Sequence, residues 1–258
     1  MSVARTRALR DMGLTPWLRR CATSSKPPPE AQTAARCVAV HGEVSRASQP
    51  DPLPLREPQS EVTPIRGGER RFSDWTELEQ AVSTCSRCAL SEGRRQTVFG
   101  VGARHARWLL IGEAPGAEED RRGEPFVGRA GKLLDAMLYV LGLEREDVFI
   151  TNIVKCRPPG NRDPRPEEAA ACRPYLDKQI EWVAPELILA LGRVAAQQLL
   201  GVDSPVGRLR GRVHEGPGER PVVVTYHPAY LLRTPIAKRK VWEDLKLAWT
   251  TAAPREGT

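Results

Sequence analysis

The sequence predicts an α/β fold: a three-layer α/β/α sandwich built on a central, mostly parallel sheet of four strands. Three observations predict it. Four short runs, Trp108–Gly112, Val148–Val154, Leu187–Leu191 and Val222–Tyr226, are almost wholly apolar, as strands covered on both faces must be. Segments with helical spacing of apolar residues separate them, and strand–helix alternation of this kind closes into a parallel sheet with helices on both faces. At 258 residues the chain is long enough for one such core with extra segments.

Residues 1–72 show no sustained periodicity and carry Pro27-Pro28-Pro29 and Asp51-Pro52-Leu53-Pro54, the composition of a disordered or loosely structured extension. Its first 40 residues hold seven basic side chains against Asp11 and Glu30. That balance suits an organelle-targeting segment or a plain Arg- and Ala-rich tail; the second reading is adopted, and the expected compartment is the cytoplasm. The folded domain is expected over 73–250, with 251–258 as a flexible tail.

From Ser73 the pattern changes. Ser73 or Asp74 is placed to cap a helix carrying Trp75, Leu78 and Val82, which runs into Cys85. After the first strand, Leu133, Leu134, Met137, Leu138 and Leu141 mark a second helix. Pro166–Val183 opens with Pro and two Glu, residues suited to a helix N-terminus. Val194–Leu200 follows, and a last helix holds Val241, Trp242, Leu245 and Trp249. Ligands of such sheets sit beyond the carboxyl ends of the strands. Three strands run straight into unusual loops there: Gly112-Glu113-Ala114-Pro115-Gly116, Lys155-Cys156-Arg157-Pro158-Pro159 and His227-Pro228-Ala229-Tyr230. These loops are expected to converge on one site.

The formal charge of +7 suits a polyanionic partner. No apolar run reaches the roughly 18 residues that span a bilayer, so no membrane association is expected. Six cysteines without an apolar leader do not read as a disulfide framework. Cys85 and Cys88 form a Cys-x-x-Cys pair, and Cys156 and Cys172, with fifteen residues between them, each begin a Cys-Arg-Pro triplet. Four thiolates ligate either an iron–sulfur cluster or tetrahedral zinc. The 67 residues between Cys88 and Cys156 hold a whole strand–helix–strand segment, so the set reads as a staple between a leading segment and the sheet edge. Cys21 and Cys37 fall in the extension and are left out.

Gly112-Glu113-Ala114-Pro115-Gly116, Glu124-Pro125-Phe126-Val127-Gly128-Arg129-Ala130-Gly131, Thr151-Asn152-Ile153-Val154-Lys155-Cys156-Arg157-Pro158-Pro159 and His227-Pro228-Ala229-Tyr230-Leu231-Leu232 together resemble the family 4 uracil-DNA glycosylases. The likeness runs from about residue 73 to 249. It implies a monomeric base-excision-repair enzyme that flips uracil out of single- or double-stranded DNA, hydrolyses its N-glycosidic bond and leaves an abasic site. It also implies a [4Fe–4S] cluster at one side of the sandwich, held by Cys85, Cys88, Cys156 and Cys172.

The resemblance further implies roles for single residues. Phe126 would stack on the flipped base; Asn152 would read O4 and N3–H, since an amide offers donor and acceptor together; His227 would donate to O2 as the bond breaks. Gly112 and Ala114 would line the base, and Glu113 would position water or stabilise the cationic sugar. Glu119 would crowd the uracil C5 position, with Asp120 behind it. Arg157, Arg162, Leu231 and Arg233 would contact DNA, Leu231 as part of a wedge. A related branch that traps the sugar through a histidine carries Gln in the first motif; this chain has Ala114 there and no histidine between Cys156 and Cys172. The competing readings are a non-enzymatic iron–sulfur nucleic-acid-binding module and a phosphate-loop enzyme, the latter lacking a Lys-Ser or Lys-Thr after its glycines.

Overall fold

The computed structural model describes residues 72–252. The expected extension, apart from Phe72, and the tail beyond Ala252 lie outside the described residues. Helix α1 (Trp75–Ser83) is capped by Asp74, whose Oδ1 accepts from the Glu77 N–H at 2.8 Å. A one-turn helix α2 (Leu90–Gly93) and strand β1 (Val101–Gly102) lead to β2 (Trp108–Gly112). Then come α3 (Ala117–Arg122), α4 (Arg129–Leu141), β3 (Val148–Asn152), α5 (Pro166–Val183), β4 (Leu187–Leu191), α6 (Arg193–Leu200), α7 (Val206–Leu209), β5 (Val213–Glu215), β6 (Pro221–Thr225), α8 (Pro228–Arg233) and α9 (Lys238–Thr251).

The sheet has six strands in the order β1-β3-β2-β4-β6-β5. The inner four are parallel to one another, and they are the four expected; β1 and β5 add short antiparallel edges. Side chains alternate across the strands. Leu109, Ile111, Ile188 and Ala190 enter one core with α1, α5 and α6. Trp108, Leu110, Leu187 and Leu189 enter the other with α4, α8 and α9. Each fully buried Leu or Ile contributes roughly 1.5–3 kcal/mol by leaving water, so the two apolar layers fix the strand order.

Helix α4 buries Leu133, Leu134, Met137, Leu138 and Leu141 and ends on left-handed Gly142. The last helix differs from expectation. Its buried stripe is Val241, Asp244, Leu245 and Ala248, while Trp249 is 47 % exposed, its ring tilted against that of Trp108 at 6.3 Å. Asp244 is held inside by Arg210 at 2.9 Å and by the Thr225 hydroxyl at 2.8 Å. Thr251 closes this helix and Ala252 is buried.

After β2 the chain passes to α4 on one face; after β4 it passes to α6 on the other. The reversal opens a crevice at the carboxyl ends of the strands, where ligands of doubly wound sheets bind. Among the described residues no helix is long and apolar enough to cross a membrane.

Candidate functional site

A cavity of about 430 Å³ occupies this crevice, lined by Glu113, Ala114, Glu119, Phe126, Asn152 and His227 among others. The three loops expected to converge do so here, joined by the segment around Asp163.

Asn152 ends β3 directly opposite Gly112 on β2 and is 2 % exposed. Its carbonyl accepts from Lys155 Nζ at 2.8 Å, but its side-chain Oδ1 has no partner. Of four such buried atoms among the described residues, three belong to Asp135, Arg145 and Asp244, which face opposite charges. Asn152 instead lines the cavity. An unpaired buried acceptor costs about 1–3 kcal/mol, so the site is built for a donor from outside. Gly112 makes room: a methyl group there lies 2.4 Å from Asn152 Oδ1 and 2.6 Å from Phe126 Cζ.

Phe126 is buried with φ of 54°, a conformation unfavourable for a bulky residue. Several contacts hold it. Arg145 Nη2 donates to the carbonyls of Pro125 and Phe126, each at 2.9 Å. Gly131 lets helix α4 approach so closely that a methyl there lies 1.7 Å from the Phe126 carbonyl oxygen. Glu119 Oε1 accepts from the Val127 and Gly128 N–H groups at 2.9 and 3.0 Å. Glu119 therefore braces the Phe126 loop as well as lining the cavity. Asp120 is buried and accepts from the Arg95 N–H.

His227 caps α8, its Nδ1 accepting from the Ala229 N–H at 3.1 Å. The ring proton therefore sits on Nε2. Burial, with Arg233 nearby, pushes its pKa down to about 4, so near neutral pH it is an uncharged donor. The ring lies 5.5 Å from that of Phe126. Glu113 hangs from the end of β2, its carbonyl accepting from the Val154 N–H at 3.3 Å. Burial, and then the Asp163 carboxyl beside it, push its pKa up to about 7, against the pull of Arg193.

One expected DNA contact is corrected. Leu231 is 0 % exposed, packed in the core beneath α8, so it cannot wedge into DNA; its neighbour Leu232 is 39 % exposed. Arg162 lines the cavity while bonded to both Glu168 carboxylate oxygens at 2.8 and 2.6 Å and to the Asp163 carbonyl. Arg157 Nε bonds Asn161 Oδ1, and exposed Arg233 lines the cavity.

On the far side of the 156–172 loop, the free thiols of Cys85, Cys88, Cys156 and Cys172 line a second cavity with Arg94, Lys155 and Tyr175. Among the described residues no set of three or more His, Cys, Asp or Glu is already closed up as a metal-holding group. The donor set nonetheless fits an all-thiolate centre. Arg94 Nη1 donates to Cys156 Sγ at 3.1 Å and the Lys155 N–H to Cys172 Sγ at 3.3 Å, contacts that stabilise thiolate charge. Burial otherwise pushes the Cys172 thiol up to about 11.

Sequence reasoning missed Arg145, Asp163 and Arg193, which belong to no motif. It also missed the buried Lys155, whose Nζ bonds Thr151 Oγ1, the Asn152 carbonyl and Gln179 Oε1. A lysine inside an apolar strand end was the one available signal.

The fold and this site define a doubly wound α/β protein with a crevice at the carboxyl ends of its strands, lined by aromatic and polar side chains. The sequence profile of the uracil DNA glycosylase superfamily matches residues 99–246. A type-4 uracil-DNA glycosylase of Archaeoglobus fulgidus is 43 % identical over 177 residues, 66 % of this chain and 89 % of its own length. One from Thermotoga maritima is 44 % identical over 174 residues, 66 % and 91 % of the two chains. A type-5 enzyme of Thermus thermophilus is 35 % identical over 150 residues, half of this chain and 68 % of its own. The chain belongs to the uracil-DNA glycosylase superfamily, and within it to the type-4 family.

Proposed function

We propose that the protein excises uracil from DNA, cutting the N-glycosidic bond and leaving an abasic site. The observation that carries this reading is the unpartnered, buried Oδ1 of Asn152, a residue that lines the cavity together with Phe126 and His227. A flipped uracil supplies what the site lacks. Its N3–H donates to Asn152 Oδ1, its O4 accepts from Nδ2, and its ring lies on Phe126. Stacking on an aromatic side chain contributes about 1–3 kcal/mol per base, which offsets part of the unstacking cost. As the bond between C1′ and N1 breaks, its electron pair leaves with uracil. The His227 Nε2–H donates to O2, where that charge accumulates. Water then adds to C1′ beside Glu113.

The four cysteines are assigned to a [4Fe–4S] cluster, which when bound ties the helix α1 end to the 156–172 loop. Hydrolysis transfers no net electrons, so the cluster's role is structural. That loop carries Asn161, Arg162 and Asp163 to the cavity wall. The protein acts as a cytoplasmic monomer on single- or double-stranded uracil-containing DNA, through the 73–250 domain.

The test incubates metal-loaded protein, and its Asn152→Ala and His227→Ala variants, with an oligonucleotide containing one uracil, followed by alkali. Breaks at the uracil with wild type, strongly reduced in both variants, support the reading. No breaks from folded wild type would overturn it and leave a non-enzymatic nucleic-acid-binding module.

A further inference from the structure

The reaction releases a proton when water adds to C1′, and the residues around Glu113 suggest where it goes. Glu113, after β2, and Asp163, in the loop before α5, line the same cavity, and the Asp163 carboxyl lies close enough to raise the pKa of Glu113. Two neighbouring carboxylates repel, so the buried Glu113 keeps its proton more readily beside Asp163. Asp163 is anchored from its other side. Arg193, the first residue of α6, forms an ion pair with Asp163 Oδ2 and also donates to Gln197 Oε1 at 3.2 Å. The Asp163 carbonyl accepts from Arg162 at 2.9 Å, and Arg162 is itself fixed by Glu168. The chain of contacts runs from the rigid start of α5, through Arg162 and Asp163, to Glu113.

We propose that Asp163, held by Arg193, is the positioning partner of Glu113, and that the two carboxyls act as one proton acceptor for the attacking water. This rests on the uracil-excising reading and deepens it. The C1′–N1 bond breaks with its electron pair on uracil N1. A water oxygen bonds to C1′, and its proton passes to the Glu113 carboxylate, which shares it with Asp163 beside the Arg193 guanidinium. The pair returns that proton to solvent, and the uracil anion takes one up after release. Glu113 touches the reacting water; Asp163 acts through Glu113.

The charged and titratable groups around the cavity are Asp163 and Arg193, which act on Glu113 directly, and Glu119, Arg162, His227, Tyr230 and Arg233 on its walls. Burial and the Asp163 charge place the Glu113 proton near pH 7. Below that pH the pair is already protonated and cannot accept. Removing the neighbouring negative charge eases ionisation of Glu113, and removing the positive one hinders it.

Single-turnover rates of uracil release from a uracil-containing oligonucleotide, measured from pH 5 to 9, test this in wild type, Asp163→Asn and Arg193→Gln. The expected wild-type rate rises through about pH 7. Its midpoint moves to the acid side in Asp163→Asn and to the alkaline side in Arg193→Gln, each by about one pH unit. Asp163→Glu, which restores the carboxyl, recovers most of the wild-type profile. Midpoints that stay in place in both variants, or move in the same direction, overturn the pairing while excision itself stands. A wild type that releases no uracil at any pH overturns the underlying reading instead. Thermal melts of each variant separate loss of folding from loss of the pair.

Discussion

Replacing Gly112 with alanine removes no functional group, yet it should disable the pocket. The added methyl lies 2.4 Å from Asn152 Oδ1, 2.6 Å from Phe126 Cζ and 2.8 Å from Phe126 Cε2. Carbon atoms normally settle about 3.5–4 Å apart, so the amide and the ring must each retreat by roughly 1 Å. Overpacking of this kind costs about 1–3 kcal/mol. Displacing a positioning group by about 1 Å lowers rates on the order of 100-fold. Gly112→Ala should therefore lose about ten- to a hundredfold in kcat/KM for uracil release, and about 1–3 kcal/mol in stability. The assay is steady-state release from a single-uracil oligonucleotide, with a guanidinium denaturation curve run alongside. Gly93→Ala is the control, since nothing lies within 4 Å of the added methyl. A folded Gly112→Ala enzyme with wild-type kcat/KM would refute the placement of uracil between Asn152 and Phe126.

Other outcomes follow from the same geometry. Leu231→Ala should cost about 2–5 kcal/mol as a core deletion, whereas exposed Leu232→Ala should stay within about 0.5 kcal/mol; denaturation midpoints decide. Arg145→Met should raise KM about tenfold with a smaller change in kcat, because charge-assisted bonds worth about 1.5–3 kcal/mol each hold the Phe126 loop; steady-state kinetics read the split. His227 stays neutral in the folded protein down to about pH 4, while an unfolded imidazole gains its proton near pH 6.5. Its stabilisation is therefore complete above pH 6.5 and is lost as the pH falls from there toward 4. At pH 5 the loss is about 2 kcal/mol, so His227→Gln should show a correspondingly smaller drop in stability between pH 7.5 and 5 than wild type.

The parallel core was legible in the sequence because each inner strand is buried on both faces, which leaves an unbroken apolar run. The edges were not legible. Val101–Gly102 has two residues and Val213–Glu215 three, both half exposed, so neither shows a period. The loops carrying Glu113, Asn152 and His227 could be foreseen because they follow inner strands directly. Their supports could not: Arg145 reaches back 19 residues to Phe126, Arg193 reaches 30 to Asp163, and Arg210 reaches 34 to Asp244. Long-range side-chain bonds leave no local pattern. Leu231 and Leu232 are adjacent apolar residues on a six-residue helix, too short for periodicity to tell its buried side from its open one.

The central claim is that the unpartnered Asn152 Oδ1 awaits the N3–H of uracil, and a crystal structure with free uracil bound tests it most directly. The account predicts the ring over Phe126, N3 within hydrogen-bond distance of Asn152 Oδ1, and O2 facing His227 Nε2. Uracil bound elsewhere, or seated with N3–H turned away from Asn152, would contradict it.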